Sequence, residues 1–123
     1  MKNKLEFKDN SAFTASKKNV LSNYKRAESD IKDAIAEVKK NPNLGDLYPG
    51  VGGHGIRKTR FPLRTYNIGK RGGLRFIFLP TPRAIVPIHI YVKKKWRNEH
   101  EVVRVVKANL ALIVKELGPD ALP

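Results

Sequence analysis

Three stretches follow one another in the middle of the chain: Gly55-Ile-Arg-Lys-Thr-Arg-Phe61, Leu74-Arg-Phe-Ile-Phe-Leu79 and Ala84-Ile-Val-Pro-Ile-His-Ile-Tyr-Val-Lys93. Each reads as a β-strand. In the third, Val86, Ile88, Ile90 and Val92 form an entirely apolar row, expected to face the core. Ile85, Pro87, His89, Tyr91 and Lys93 form the opposite row. In the second, Leu74, Phe76 and Phe78 make the better core face, which leaves Arg75, Ile77 and Leu79 opposite. The first is ambiguous: if Thr59 and Phe61 face inward, Lys58 and Arg60 join the opposite face. The connections Gly69-Lys-Arg-Gly-Gly73 and Pro80-Thr-Pro-Arg83 are turn sequences. Their shortness implies antiparallel neighbours. Pro87 predicts a bulge or an unpaired side in the third strand.

Helical patterns flank these strands. Lys4-Leu-Glu-Phe-Lys8 alternates charged and apolar residues and reads as a short strand. Asp9, Asn10 and Ser11 are candidate caps for a helix to about Tyr24, with Phe13, Val20, Leu21 and Tyr24 on one stripe. A second helix, from about Arg26 to Lys40, places Ala27, Ile31, Ala34, Ile35 and Val38 at helical spacing. Its opposite face is Glu28, Asp30, Lys32, Asp33, Glu37 and Lys39, and Ser29 is an alternative cap. The two segments read as a hairpin or as one bent helix. Asn41-Pro42-Asn43 ends the second. Gly45 to Gly55 reads as a loop; no Lys-Ser/Thr and no helix follow its glycines, which argues against a phosphate-cradling loop. A last helix runs from about Asn98 to Leu117, with Asn98 as cap, Glu99 and Glu101 in its first turn and Gly118-Pro119 as its stop. Its stripe is Val102, Val103, Val105, Val106, Leu110, Ile113, Val114 and Leu117. The order is (β)ααβββα: an α+β fold with helices packed on one side of a small antiparallel sheet, in one domain over residues 1–123.

Charge is segregated along the chain. The formal net charge is +14. From Leu47 to Asn98 there are twelve Lys and Arg and no Asp or Glu; seven acids precede that stretch and four follow it. A cationic sheet between mixed-charge ends is the footprint of a polyanion binder, with RNA, DNA or an anionic membrane as partner. The membrane reading is the weakest, because no apolar run approaches the roughly 18–20 residues a spanning helix needs. The first twenty residues hold no continuous apolar run, so no secretion signal is expected and the cytoplasm is the expected location. There is no cysteine, and His54, His89 and His100 lack metal-ligand spacing.

Strand phasing gathers Lys58, Arg60, Arg75, His89, Tyr91 and Lys93 on one face, with Lys93-Lys-Lys-Trp-Arg97 at its rim. Arg57, Lys70, Arg71, Lys93, Lys94 and Arg97 are candidates to bind RNA phosphates. Tyr91 and Trp96 are candidates to stack on unpaired bases, and His89 is a further candidate to bind RNA. Cleaving RNA at such a face requires a proton taken from a 2′-OH, stabilisation of the phosphorane and a proton for the leaving 5′-oxygen. Arginine suits the middle role. With no carboxylate in the stretch, the proton carriers are His89, Tyr91 or a lysine among crowded cations. For any one residue the plainer reading is structural: a strand histidine that hydrogen-bonds, a tyrosine that covers the sheet, edge lysines that block aggregation.

Gly55-Ile-Arg-Lys-Thr-Arg-Phe61, Gly69-Lys-Arg-Gly-Gly-Leu-Arg-Phe-Ile-Phe78 and Ile88-His-Ile-Tyr-Val-Lys-Lys-Lys95 together resemble the RelE/ParE toxin superfamily, nearest its RelE-like and HigB-like members. The resemblance spans roughly Leu5 to Leu117. It implies a RelE-like fold and the toxin of a type II toxin–antitoxin pair. That toxin would be an endoribonuclease that cuts mRNA on the ribosome without metal or cofactor, held in check by a cognate antitoxin protein. By position, Lys58 and Arg60 match the family's paired base and phosphate binder, and Arg75 its transition-state arginine. Lys95 is the best match to a further basic residue, ahead of Lys93 and Lys94. The family's late Tyr or His has no clean counterpart: His100 is nearest in spacing, with Tyr91 and His89 as alternatives on the sheet. The long last helix replaces the short end of some members and leaves open a ParE-like inhibitor of DNA gyrase. The terminal αβββα order also overlaps with double-stranded RNA-binding modules.

Overall fold

In the computed structural model, which describes residues 5–51, 55–96 and 98–122, the chain is an α+β fold built on a five-stranded mixed sheet. The elements are β1 (Glu6–Phe7), α1 (Ser11–Asn23), α2 (Glu28–Lys40), β2 (Asp46–Leu47), β3 (Arg57–Phe61), β4 (Leu74–Pro80), β5 (Ala84–Val92) and α3 (Glu99–Leu117). The sheet order is β1-β5-β4-β3-β2. The three long strands are antiparallel neighbours, and β2 adds to β3 antiparallel; a short turn joins β4 to β5, whereas β3 reaches β4 through residues 62–73, which hold the 3-10 turn Arg64–Tyr66 and a Leu63–Ile68 bridge. Only β1 runs parallel, to the start of β5. Between the two, the chain passes through α1, α2, β2, β3 and β4, which leaves ample length for a parallel pairing.

The helices do not share one side. Phe13, Val20, Ala27, Ile31 and Val38 of the α1–α2 segment pack on Leu74, Phe76, Phe78, Ile85, Ile90 and Val92. Val102, Val106, Leu110 and Ile113 of α3 pack on Ile77, Leu79, Val86, Ile88 and Tyr91 across the sheet. The reason is legible in β4, whose residues are buried on both faces except at Pro80. A sheet covered on both faces reads as a continuous apolar run rather than an alternation. Ile77 and Leu79 needed a cover, and α3 is the remaining amphipathic element. Each large side chain so buried stabilises the fold by roughly 1.5–3 kcal/mol.

Pro87 does mark a bulge. The β4–β5 register shifts between Ile77 and Phe78, where Ile77 faces His89 and Phe78 faces Pro87. Ile88 is the extra residue, so the phase of β5 reverses there. Val86 and Ile88 therefore lie under α3, while Ile90 and Val92 lie under the α1–α2 layer. The single apolar row expected from alternation is split between two cores. Beyond short β1 the edge of β5 is closed by side chains. Asn10 Nδ2 donates to Pro87 O (2.9 Å), Asn109 Nδ2 to Ile88 O (3.0 Å), and Ile90 N to Ser16 Oγ (3.2 Å). An edge whose backbone groups are already paired is a poor template for aggregation.

Local signals hold at the starts of α1 and α3. Asn10 caps α1 by accepting from Phe13 N (2.9 Å), and Asn98 caps α3 by accepting from His100 N (2.9 Å). At α2, Ala27 occupies the cap position with no side-chain bond, so Ser29 is not the cap. Asp30, expected on the solvent face, is buried. Its carboxylate accepts from Arg64 N (3.0 Å), Thr65 N (3.3 Å) and Thr65 Oγ1 (2.6 Å), fixing the 3-10 turn Arg64–Tyr66. Gly45 enters β2 with φ 79°, and a Cβ there would stand 2.2 Å from Lys58 O. Glycine thus brings the β2 segment tight against Lys58.

Candidate functional site

The cross-strand register places Lys58 opposite Ile77, Ile77 opposite His89, Arg60 opposite Arg75, and Arg75 opposite Tyr91. Lys58, Arg60, Arg75, His89 and Tyr91 therefore do share one sheet face. That face is not open to solvent, because α3 lies across part of it. His89 is 4 % exposed, Tyr91 1 % and Arg75 3 %. These three were expected to meet RNA; as they stand they are core.

His89 stacks on Tyr91 with ring centroids 5.3 Å apart, and Trp96 meets His89 edge-on at 5.2 Å. Trp96 is partly buried against the α3 core, so it is the wall of a seam rather than an open stacking platform. Neither ring nitrogen of His89 nor the Tyr91 hydroxyl has a hydrogen-bond partner among the described residues. Burial pushes the His89 imidazole down to about 4, so it is neutral near neutrality. Burial pushes the Tyr91 phenol up, with the Glu99 charge adding to it. A proton is therefore hard to draw from Tyr91.

Arg75 has a structural task. Its Nη1 donates to Lys70 O (2.7 Å) and Leu74 O (3.3 Å), and its Nη2 to Arg71 O (2.9 Å). Burial and the neighbouring Arg60 charge lower its proton affinity. The guanidinium that was expected to stabilise a transition state instead closes the β3–β4 turn and turns Lys70 and Arg71 outward, where both are exposed. Lys94 reaches the same tip, its stem standing over Gly72. Lys70, Arg71 and Lys94 thus form a cationic end to the hairpin. Lys95 is exposed in the 3-10 turn Lys93–Lys95. Arg57 lies on the other sheet face, since it pairs with Phe78. Its Nε and Nη2 donate to Leu44 O (3.1 Å) and Gly45 O (2.7 Å), which ties it to the β2 loop rather than to a ligand. Arg97 and His54 lie outside the described residues.

What remains accessible is a groove of about 270 Å³ between the β2 segment, β3 and the start of α3. Lys58, Arg60, Tyr48 and Glu99 line it, with Asp46 and Leu47 at its rim. Glu99 Oε1 accepts from Lys58 Nζ (2.9 Å) and from Tyr48 OH (2.8 Å). The Lys58 ammonium also stands 5.2 Å from the Tyr48 ring centroid and 6.0 Å from that of Tyr91. Burial raises the Glu99 carboxyl. The hydrogen bonds from Lys58 and Tyr48 and the charges of Lys58 and Lys93 outweigh it and leave the group below its ordinary value. Tyr48 is pushed up by burial and by its bond to Glu99.

Glu99 and Tyr48 were not among the expected site residues. The cationic stretch was read as free of acid, and it is, but it ends one residue before Glu99. The Asn98 cap turns the chain, so the first residue of α3 points its carboxylate back onto β3. The acid-free rows therefore do meet an acid. Among the described residues no three His, Asp or Glu side chains converge as metal ligands, and no helix is long and apolar enough to cross a membrane. No protein-family model matches the chain, and no curated protein matches it.

Proposed function

We propose that the protein is the toxin of a type II toxin–antitoxin pair, a RelE-like endoribonuclease that cuts mRNA on the ribosome by metal-independent attack of the 2′-OH. The observation that carries this reading is the groove itself. Two cations of β3, Lys58 and Arg60, stand beside the Glu99 carboxylate and Tyr48, and Glu99 is ion-paired to Lys58. Phosphate binding and proton transfer are thereby available within one small concavity. The exposed cations Lys70, Arg71, Lys94 and Lys95 would hold the flanking backbone or ribosomal RNA by charge. The order of elements and the matched basic positions of β3 support the family assignment. A net charge of +14 makes an acidic antitoxin segment a fitting partner, and mRNA on the ribosome as target implies the cytoplasm.

Programmed ribosomes carrying a defined mRNA provide the test, read by primer extension. The wild-type protein is expected to produce discrete cuts, and a Lys58→Ala/Arg60→Ala double variant to lose them. Cuts that persist in the double variant would defeat the assignment. Arrest of growth with DNA damage and intact mRNA would instead support the gyrase-inhibitor reading.

A further inference from the structure

Lys58 is an ion-paired ammonium, 2.9 Å from Glu99 Oε1 with its side chain 18 % exposed. An ammonium has no lone pair with which to take a proton. Glu99, by contrast, spends one oxygen on Lys58 and Tyr48, while its other oxygen, Oε2, accepts no hydrogen bond from the described residues. Its side chain remains 45 % exposed and lines the groove. Two donors on Oε1 fix the plane of the carboxylate, which is what a positioned base needs.

Resting on the ribonuclease reading above, we propose that Glu99 is the proton acceptor of the cleavage and Lys58 its proton donor. Glu99 Oε2 takes the proton of the 2′-OH. The 2′-oxygen forms a bond to phosphorus, and the bond from phosphorus to the 5′-oxygen breaks, its electron pair staying on that oxygen. The Lys58 ammonium protonates the leaving 5′-oxygen. The products are a 2′,3′-cyclic phosphate and a free 5′-hydroxyl. Glu99 is left as the neutral acid and Lys58 as the neutral amine, and one proton passed between these hydrogen-bonded partners restores the starting ion pair. Arg60, two residues along β3 on the same face and exposed, holds the non-bridging phosphate oxygens.

The groups that surround Glu99 favour its ionised form. Lys58 comes from β3, Arg75 from β4, and Lys93 follows β5; Arg60 lines the same groove, and Tyr48 and Tyr91 stay neutral. Asp46, the cross-strand neighbour of Lys58, is the competing acid in the groove, but it forms no ion pair among the described residues.

The experiment measures single-turnover cleavage of ribosome-bound mRNA by the wild type, Glu99→Gln and Asp46→Asn, each checked by circular dichroism and thermal melting. Gln keeps an oxygen for Lys58 and Tyr48 but cannot accept the proton. Glu99→Gln is expected to slow cleavage by about 10²–10⁴-fold, and Asp46→Asn by less than about threefold. Affinity for a 2′-O-methyl mRNA that cannot react should stay equal or tighten in Glu99→Gln, since a negative charge is removed. The wild-type rate should be flat between pH 5.5 and 7.5, since a carboxylate below its ordinary value is already ionised there. A rate that climbs tenfold per pH unit would restore the amine as base and overturn the proposal. So would a Glu99→Gln enzyme as fast as the wild type, or a loss that follows Asp46 instead. Absence of any cut by the wild type would sink the ribonuclease reading itself, which separates the two failures.

Discussion

The buried imidazole of His89 makes stability depend on pH in a way that can be worked out in advance. Its two ring nitrogens have no partner among the described residues, and the rings of Tyr91 and Trp96 lie against it. Burial lowers it from 6.5 to about 4. In the unfolded chain the same group has its ordinary affinity. Between those values the unfolded chain binds a proton that the folded protein refuses, so stability is complete above pH 6.5 and drains away as the pH falls towards 4. The full loss is about 3 kcal/mol, of which about 2 kcal/mol is already gone at pH 5. Guanidinium unfolding at pH 7, 6, 5 and 4.5, followed by Trp96 fluorescence, measures it. His89→Phe removes the titrating group and both unpaired nitrogens, so the variant should be at least as stable at pH 7 and should lack the drop between pH 6.5 and 5. Carboxylates such as Glu99 titrate in both proteins and cancel in the difference. If wild type and variant lose stability in parallel over that interval, His89 is not buried as the neutral form and the seam under α3 is packed differently.

Other outcomes follow from single contacts. Asp30→Ala strips three acceptor bonds from the Arg64–Tyr66 turn and should cost about 2–3 kcal/mol in a denaturant midpoint experiment. Arg75→Leu frees the carbonyls of Lys70 and Arg71; amide exchange across residues 69–73 should rise sharply, with RNA cleavage reduced only through the loosened turn. Gly73→Ala would set a methyl group 2.4 Å from Phe61 O and 2.8 Å from Gly69 O, so the β3–β4 hairpin should melt at least several degrees earlier. In filter binding to single-stranded RNA, replacing Lys70, Arg71 and Lys94 together by Ala should flatten the dependence of log affinity on log salt by about two.

The sequence was most transparent where local chemistry sets structure. Asn10 and Asn98 cap their helices, the Pro80–Arg83 turn joins antiparallel strands, Gly69–Gly73 ends a longer connection between two more, and Pro87 marks the bulge. It was least transparent where one residue serves two elements. Alternation in β5 was projected straight through Pro87, although a bulge reverses the phase, and so Ile90 and Val92 were placed with Val86 and Ile88. The second face of the sheet was taken for a surface because it carries Lys58, Arg60 and Arg75, yet Ile77 and Leu79 lie in the same rows and demand cover. Asp30 looked like a solvent-facing helix acid because its three donors come from a turn thirty-odd residues away, a distance that periodicity does not span.

Glu99 shows the same limit at the point that matters for chemistry. An acid in the first turn of a helix has a sufficient local reason to be there, since it faces the positive end of the helix dipole. Glu101 has that reason too and stays exposed, with no ion pair among the described residues. Only the fold distinguishes them: Asn98 sets the start of α3 above β3, and one of the two carboxylates reaches Lys58 and Tyr48. Helix preference predicts that exchanging Glu99 or Glu101 for Gln has equal and small effects on stability, each a few tenths of a kcal/mol. The groove geometry breaks that equality, since only Glu99 has the Lys58 and Tyr48 contacts to lose, and it adds a difference in chemistry. Glu101→Gln should cut mRNA like the wild type while Glu99→Gln does not, and equal activities in the two variants would reduce Glu99 to a helix acid that happens to lie beside a lysine.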